Sequence, residues 1–170
     1  MALNYSFLFV YVVKPTGIII FPQRKYKINL MHTYEYPHPA VTVDVAVFAR
    51  DGNRYKLLLI QRGNEPYKGK WALPGGFIEI DEDLEEAAHR ELEEETGIRV
   101  SKIEQLHTFG KPDRDPRERV ITVVYTSIID KATDVKADSD AARADWFDLD
   151  KLPDLAFDHP EVIRMACDHI

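Results

Sequence analysis

The sequence predicts one mixed α/β domain. From Ala40 onward, β-rich runs alternate with tight turns, an amphipathic helix follows Asp83, and a second helix lies near the end of the chain. Its 170 residues, 45% of them hydrophobic, are enough for one core and too few for two independent ones. The domain is expected over residues 31–170, with residues 1–30 as an apolar N-terminal extension.

In the extension, an apolar run from Tyr5 to Val13 meets a Lys14-Pro15-Thr16-Gly17 turn signal and a second run from Ile18 to Phe21, which reads as two short strands. A bilayer span takes about 20 residues, so neither run crosses a membrane. No basic lead or small-residue cleavage site marks a secretory signal. Val41 to Ala49 alternates apolar with smaller or polar residues, and an Asp51-Gly52-Asn53 turn joins it to Tyr55–Gln61, giving strand, turn and strand. Residues 119–129, RVITVVYTSII, form the clearest buried strand, and 144–149 a short one. The helices are Leu84 to Thr96 and Pro160 to His169, the latter with proline in the first turn, where its missing N–H costs nothing.

Charged residues at 30% and aromatic residues at 11% exclude a disordered chain. A single cysteine, Cys167, excludes a disulfide scaffold and a cysteine-based metal cluster, and sets a cytoplasmic location as the expectation. Lys and Arg number 22 against 29 Asp and Glu, and the net charge of -7 argues against nucleic acid as a partner. The charge is unevenly placed, with ten acids and one arginine between residues 79 and 95.

That acidic stretch is mostly helix. Asp83 and Glu86 make a capping box at its start, and Gly97 followed by Ile98 makes a left-handed cap at its end. At about 100° per residue, Leu84, Ala87, Ala88 and Leu92 form an inward stripe, with Glu86, His89 and Glu93 opposite. Glu91, Glu94 and Glu95 fall on or beside the apolar stripe. One helical turn thus turns three carboxylates toward the protein body, and Arg90 alone cannot neutralise them. An all-oxygen ligand set calls for a hard cation, magnesium or else manganese, whose remaining coordination is usually completed by water and substrate phosphates. Just ahead, Trp71-Ala72-Leu73-Pro74-Gly75-Gly76 lets backbone pass close to a ligand, and its carbonyls suit a hard metal. It is neither a P-loop nor a dinucleotide fingerprint.

Gly76, five residues, Glu82, seven residues and then Arg90-Glu91-Leu92-Glu93-Glu94-Glu95-Thr96-Gly97-Ile98 together resemble the Nudix box at each of its defined positions. The flanking strands fit a Nudix domain over about residues 38 to 165. The resemblance implies an α/β/α sandwich around a mixed sheet and hydrolysis of a nucleoside diphosphate linked to another moiety. It implies Glu91, Glu94 and Glu95 as magnesium ligands, with Gly75 or Gly76 completing the shell through a carbonyl. Arg90 would orient a glutamate of the box, Glu82 would support the set, and water would be the nucleophile. Glu91 and Glu118 both stand as candidate bases.

Substrate choice lies outside the box. The prolines of Lys111-Pro112-Asp113-Arg114-Asp115-Pro116-Arg117 mark a loop, and Arg114 and Arg117 are candidates to clamp a diphosphate. The loop resembles the RDPR segment of ADP-ribose pyrophosphatases, as does Leu155-Ala156-Phe157-Asp158-His159 before the last helix. Phe109 and Trp71 are candidates to stack on a base, while His159 and the other scattered histidines read as structural or solvated. The expected function is magnesium-dependent cleavage of ADP-ribose or a related nucleoside diphosphate sugar by a homodimer. The alternatives are a nucleoside triphosphate pyrophosphatase and a non-catalytic module that senses a nucleotide sugar.

Overall fold

The computed structural model describes residues 12–14, 17–19, 35–136 and 141–170. The chain divides into two units, Met1–Tyr36 and Pro37–Ile170. In the first, β1 (Val12–Lys14) and β2 (Gly17–Ile19) pair antiparallel, with Lys14 opposite Gly17. The expected boundary at residue 30 lies outside the described residues. Among the described residues, no helix is long and apolar enough to cross a membrane.

In the second unit the chain runs β3 (Ala40–Asp51), β4 (Arg54–Arg62), β5 (Trp71–Ala72), β6 (Gly75–Phe77), α1 (Leu84–Thr96), β7 (Glu104–Phe109), β8 (Val120–Ile129), β9 (Ala141–Asp148) and α2 (His159–Cys167). These strands form one mixed sheet in the order β5-β4-β3-β8-β7, with β6 also paired to β3 and β9 to β4. β3 and β8 run parallel, and the other pairs are antiparallel.

The expected strand forms as β3, and every residue from Thr42 to Ala49 is buried, on both of its faces. The strand is central and covered on both faces, and its only buried polar members, Thr42 and Asp44, line a cavity. Val43, Val45 and Val47 share a cluster with Ala87, Ala88 and Leu92 of α1. Ala46 and Phe48 share the opposite one with Val162, Ile163 and Ala166 of α2. This is the expected α/β/α sandwich, with one helix on each face.

The α1 boundaries match the sequence reading because both caps are local. The Asp83–Glu86 capping box forms, and Gly97 takes φ 70. α2 begins one residue early, at His159, and Asp158 makes no side-chain cap. β7 was not foreseen, since its mostly exposed Glu-Gln-Leu-His-Thr-Phe run carries no apolar period.

β3 positions the site by changing partners along one edge. Phe48 to Asp51 pair with β4, while Thr42 to Asp44 pair with β6. Between the two, the Val45 N–H donates to the Pro74 carbonyl at 2.8 Å. The strands that part there line a single cavity. Leu92 is the largest fully buried side chain that α1 lays against this sheet. Leu92→Ala should lower the unfolding free energy by about 2–5 kcal/mol in urea titrations, without changing the slope.

Candidate active site

The cavity of about 420 Å³ is bordered by β3, β4 and β6, by α1 and by the segments ahead of β8 and α2. Its acidic side comes from α1. Glu95 is 7% exposed, and the Glu91 side chain is 15% exposed. Glu94 corrects the expectation of three inward carboxylates, for its side chain is 51% exposed and absent from the cavity lining. It lies roughly 110° around the helix from the middle of the buried arc, where only a side chain as small as Ala87 is covered.

Gly75 and Gly76 lie directly on these carboxylates. The Gly75 N–H donates to Glu95 Oε2 at 2.9 Å. A Cβ on Gly75 would come within 2.1 Å of the Val43 carbonyl oxygen, and one on Gly76 within 2.7 Å of the Glu91 carboxyl carbon. The glycine pair therefore serves close approach, within strand β6 rather than in a turn. Burial pushes the Glu95 carboxyl up to about 8; the Gly75 hydrogen bond opposes this, while Glu91 and Asp44 add to it. Burial likewise raises Glu91, against its bond from Arg90.

Arg90 organises the flank of the cluster. Its Nε and Nη2 donate to the two Glu82 oxygens at 2.7 and 2.8 Å. Nη1 donates to Glu91 Oε1 at 2.6 Å and to Glu94 Oε2 at 3.2 Å. These bonds, from Glu82 first, hold the guanidinium well above its ordinary range. Among the described residues, no three acidic, His or Cys side chains form a ready metal cage. Arg90 occupies part of the space between Glu91 and Glu94. Glu91, the first candidate base, lines the cavity, whereas Glu118 is exposed and does not.

The basic side departs further from the sequence reading. Arg114, expected to clamp a diphosphate, has a side chain only 4% exposed. Its Nε and Nη2 edge is committed to Asp158, at 3.0 Å from Nε to Oδ2 and 2.7 Å from Nη2 to Oδ1, while the residue still contributes to the cavity lining. It fastens the loop to the start of α2, and it occupies the carboxylate that would otherwise cap that helix. Arg117 lines the cavity too, and is the more exposed of the two. Asp115 holds its Nε and Nη2 edge, and its guanidinium lies 5.1 Å from the Phe77 ring centre and 5.8 Å from that of Phe157.

Arg62 is the basic residue that the sequence reading missed. It ends β4, lines the cavity and lies 4.8 Å over the Phe157 ring, while its Nε donates to the Pro66 carbonyl at 2.7 Å. Burial lowers its affinity for its proton, and the nearby Arg117 charge lowers it further. Phe157 takes φ 51, a left-handed conformation rare for a bulky side chain, and its ring lies beside both arginines. No local pattern announces a cluster drawn from residues so far apart in sequence.

Phe109, expected to stack on a base, is 7% exposed and packs in the α2-side core with Phe48 and Leu57, away from the cavity lining. As the last residue of β7 its side chain falls on the covered face. Trp71 packs edge to face on Phe147, with ring centres 4.6 Å apart. His159 is buried and reaches the cavity wall, accepting the Leu73 N–H at Nδ1 over 2.9 Å. Asp44, not considered from the sequence, lines the same wall.

A family model described as NUDIX domain matches residues 38–166. The chain is 48% identical over 131 residues to an ADP-ribose pyrophosphatase of Methanocaldococcus jannaschii, across 76% of this chain and 73% of that one. It is 40% identical over 136 residues to the ADPR responsive transcriptional repressor NtrR of Acinetobacter baylyi, across 78% of this chain and 54% of the repressor. The solved NUDIX domain of Shewanella oneidensis NrtR complexed with ADP ribose has a TM-score of 0.73 at 36% identity, covering 79% of this chain and 90% of that one.

The geometry sets two expectations for stability. Above pH 4.5 the unfolded chain releases the Glu95 proton, whereas the folded chain keeps it until about 8. The stabilisation is therefore full below pH 4.5 and is lost as pH rises toward 8, by at most about 1.4 kcal/mol per pH unit. Urea titrations in chelator should show this fall, Glu95→Gln should flatten it, and a divalent cation should restore stability at the upper end. Arg114→Ala should cost about 3–5 kcal/mol in the same measurement, because it strands the Asp158 carboxylate. A residue serving only as a substrate clamp would leave stability unchanged.

Proposed function

The chain belongs to the NUDIX family and is a Nudix hydrolase, and from that premise we propose that it cleaves ADP-ribose or a related nucleoside diphosphate sugar with a divalent cation. The products from ADP-ribose are AMP and ribose 5-phosphate. The observation that carries this reading is the close pair of carboxyl groups, Glu91 and Glu95, whose burial disfavours their charge without a cation, in one cavity with Arg62, Arg114 and Arg117. Such a cavity is complementary to a diphosphate accompanied by hard cations.

The oxygen donors suit magnesium or manganese. Glu91 and Glu95 would hold the ion with help from the Gly76 backbone, and Glu94 would join from the rim once drawn in from Arg90. Bound divalent cations neutralise diphosphate charge and acidify a coordinated water. The residues supply the rest. Arg117 and Arg62 orient the diphosphate, and both guanidinium groups are drawn to the Phe157 ring between them. Glu82 holds Arg90, and Arg90 holds Glu91 in orientation. Glu91 lies within the cavity as a base for the attacking water: the water oxygen bonds to phosphorus, the anhydride P–O bond breaks, and the proton passes to a carboxylate. The partner on this reading is a small nucleoside diphosphate derivative.

The likeness to an ADPR responsive repressor supports a second reading, a module that binds ADP-ribose without cleaving it. The chain spans about half of that relative's length. Turnover separates the two. ADP-ribose incubated with magnesium should yield AMP far faster than ATP or dGTP yields a monophosphate, and chelator should abolish the reaction. Glu95→Gln should lower kcat/KM by at least about a hundredfold. Tight binding of ADP-ribose with no AMP released in either metal would establish the sensing reading instead.

A further inference from the structure

Two buried polar groups line the cavity without a part in the scheme above. His159 Nδ1 accepts the Leu73 N–H at 2.9 Å, so that nitrogen carries no proton and the ring hydrogen sits on Nε2. Burial of the ring favours the same neutral form. Nε2 lies 3.6 Å from Asp44 Oδ1, beyond hydrogen-bond reach. The other carboxylate oxygen, Oδ2, accepts from Thr122 Oγ1 at 2.6 Å, which fixes the orientation of the group. A donor and an acceptor therefore stand side by side, and neither makes a hydrogen bond to another described residue.

The chemistry that fits this pair is narrow. A phosphate oxygen only accepts and would be repelled by Asp44, and an ammonium only donates and would face the Nε2 hydrogen. A hydroxyl does both, its oxygen accepting from Nε2–H while its proton goes to Oδ1, and an oxygen about 2.8 Å from each atom satisfies the separation. Resting on the nucleoside diphosphate sugar reading, we infer that His159 and Asp44 form a specificity site for a ribose hydroxyl of the ligand. Two riboses supply this chemistry, one on the nucleoside and one distal to the diphosphate, and analogues lacking single hydroxyls distinguish them.

The test is calorimetric affinity of the full chain for ADP-ribose and for analogues each missing one ribose hydroxyl. For the wild-type chain, one analogue should bind about tenfold to a hundredfold more weakly than ADP-ribose. His159→Asn keeps an amide oxygen near the Nδ1 position for the Leu73 N–H but places nothing at Nε2. It should bind ADP-ribose and that analogue equally well. His159→Gln places an amide N–H near the Nε2 position and should retain part of the discrimination. If the wild-type chain binds ADP-ribose and every analogue within twofold, the pair is purely structural and the inference falls, whether or not any variant folds. The same follows if His159→Asn discriminates as the wild type does. Failure of ADP-ribose to bind at all would overturn the nucleoside diphosphate sugar reading itself.

Discussion

The structure depends on the contact between the Gly75-Gly76 backbone and the carboxylates of Glu91 and Glu95. Two carboxyl groups sit there in partial burial, the Glu95 one keeping its proton to about 8, and any side chain on either glycine would collide with the strand or with a carboxylate. The arrangement holds because α1 is fastened independently of it. Ala87, Ala88 and Leu92 pack on Val43, Val45 and Val47, and burying such a set contributes several kcal/mol, on the order of what burying the carboxyl groups costs. Arg90, itself anchored by both oxygens of Glu82, relieves the outer flank only. The inner flank is relieved by the proton that Glu95 keeps, which a bound divalent cation would replace.

What was legible in the sequence was what short-range chemistry determines. The limits of α1 follow from a capping box and a left-handed glycine, and the Gly76 to Ile98 spacing fixed the family. The sandwich followed from that resemblance, and β3 then explains it: its odd residues meet one helix and its even residues the other. Long-range assembly was not legible. The strand pattern does not reveal that β3 is covered twice, and β7, polar along most of its length, has no period to detect. Phe109 looks the same in sequence whether it ends a covered strand or borders a ligand.

The arginines show the same limit more sharply. A loop carrying Arg114 and Arg117 suggested two equivalent clamps, yet both line the cavity unequally, one buried against Asp158 and the other exposed. Their difference depends on where α2 begins, which the loop's own sequence cannot encode. Arg62 adds a further cationic group to the same cavity from the end of β4. The acidic half of the site is thus written in one helix, and the basic half is assembled from three distant segments.

The buried clasp between Arg114 and Asp158 has a consequence for how such a domain diversifies. Together with the Ala156 N–H bonded to the Trp71 carbonyl and Leu73 bonded to His159, it joins the arginine loop, the approach to α2 and the strand before the glycines into one mechanical piece. A loop transplanted from a relative without its matching helix start would leave an ionised group sealed in the interior. Change of ligand preference in this scaffold is therefore a coordinated replacement of segments more than forty residues apart, and its pace is set by the slower of the two partners.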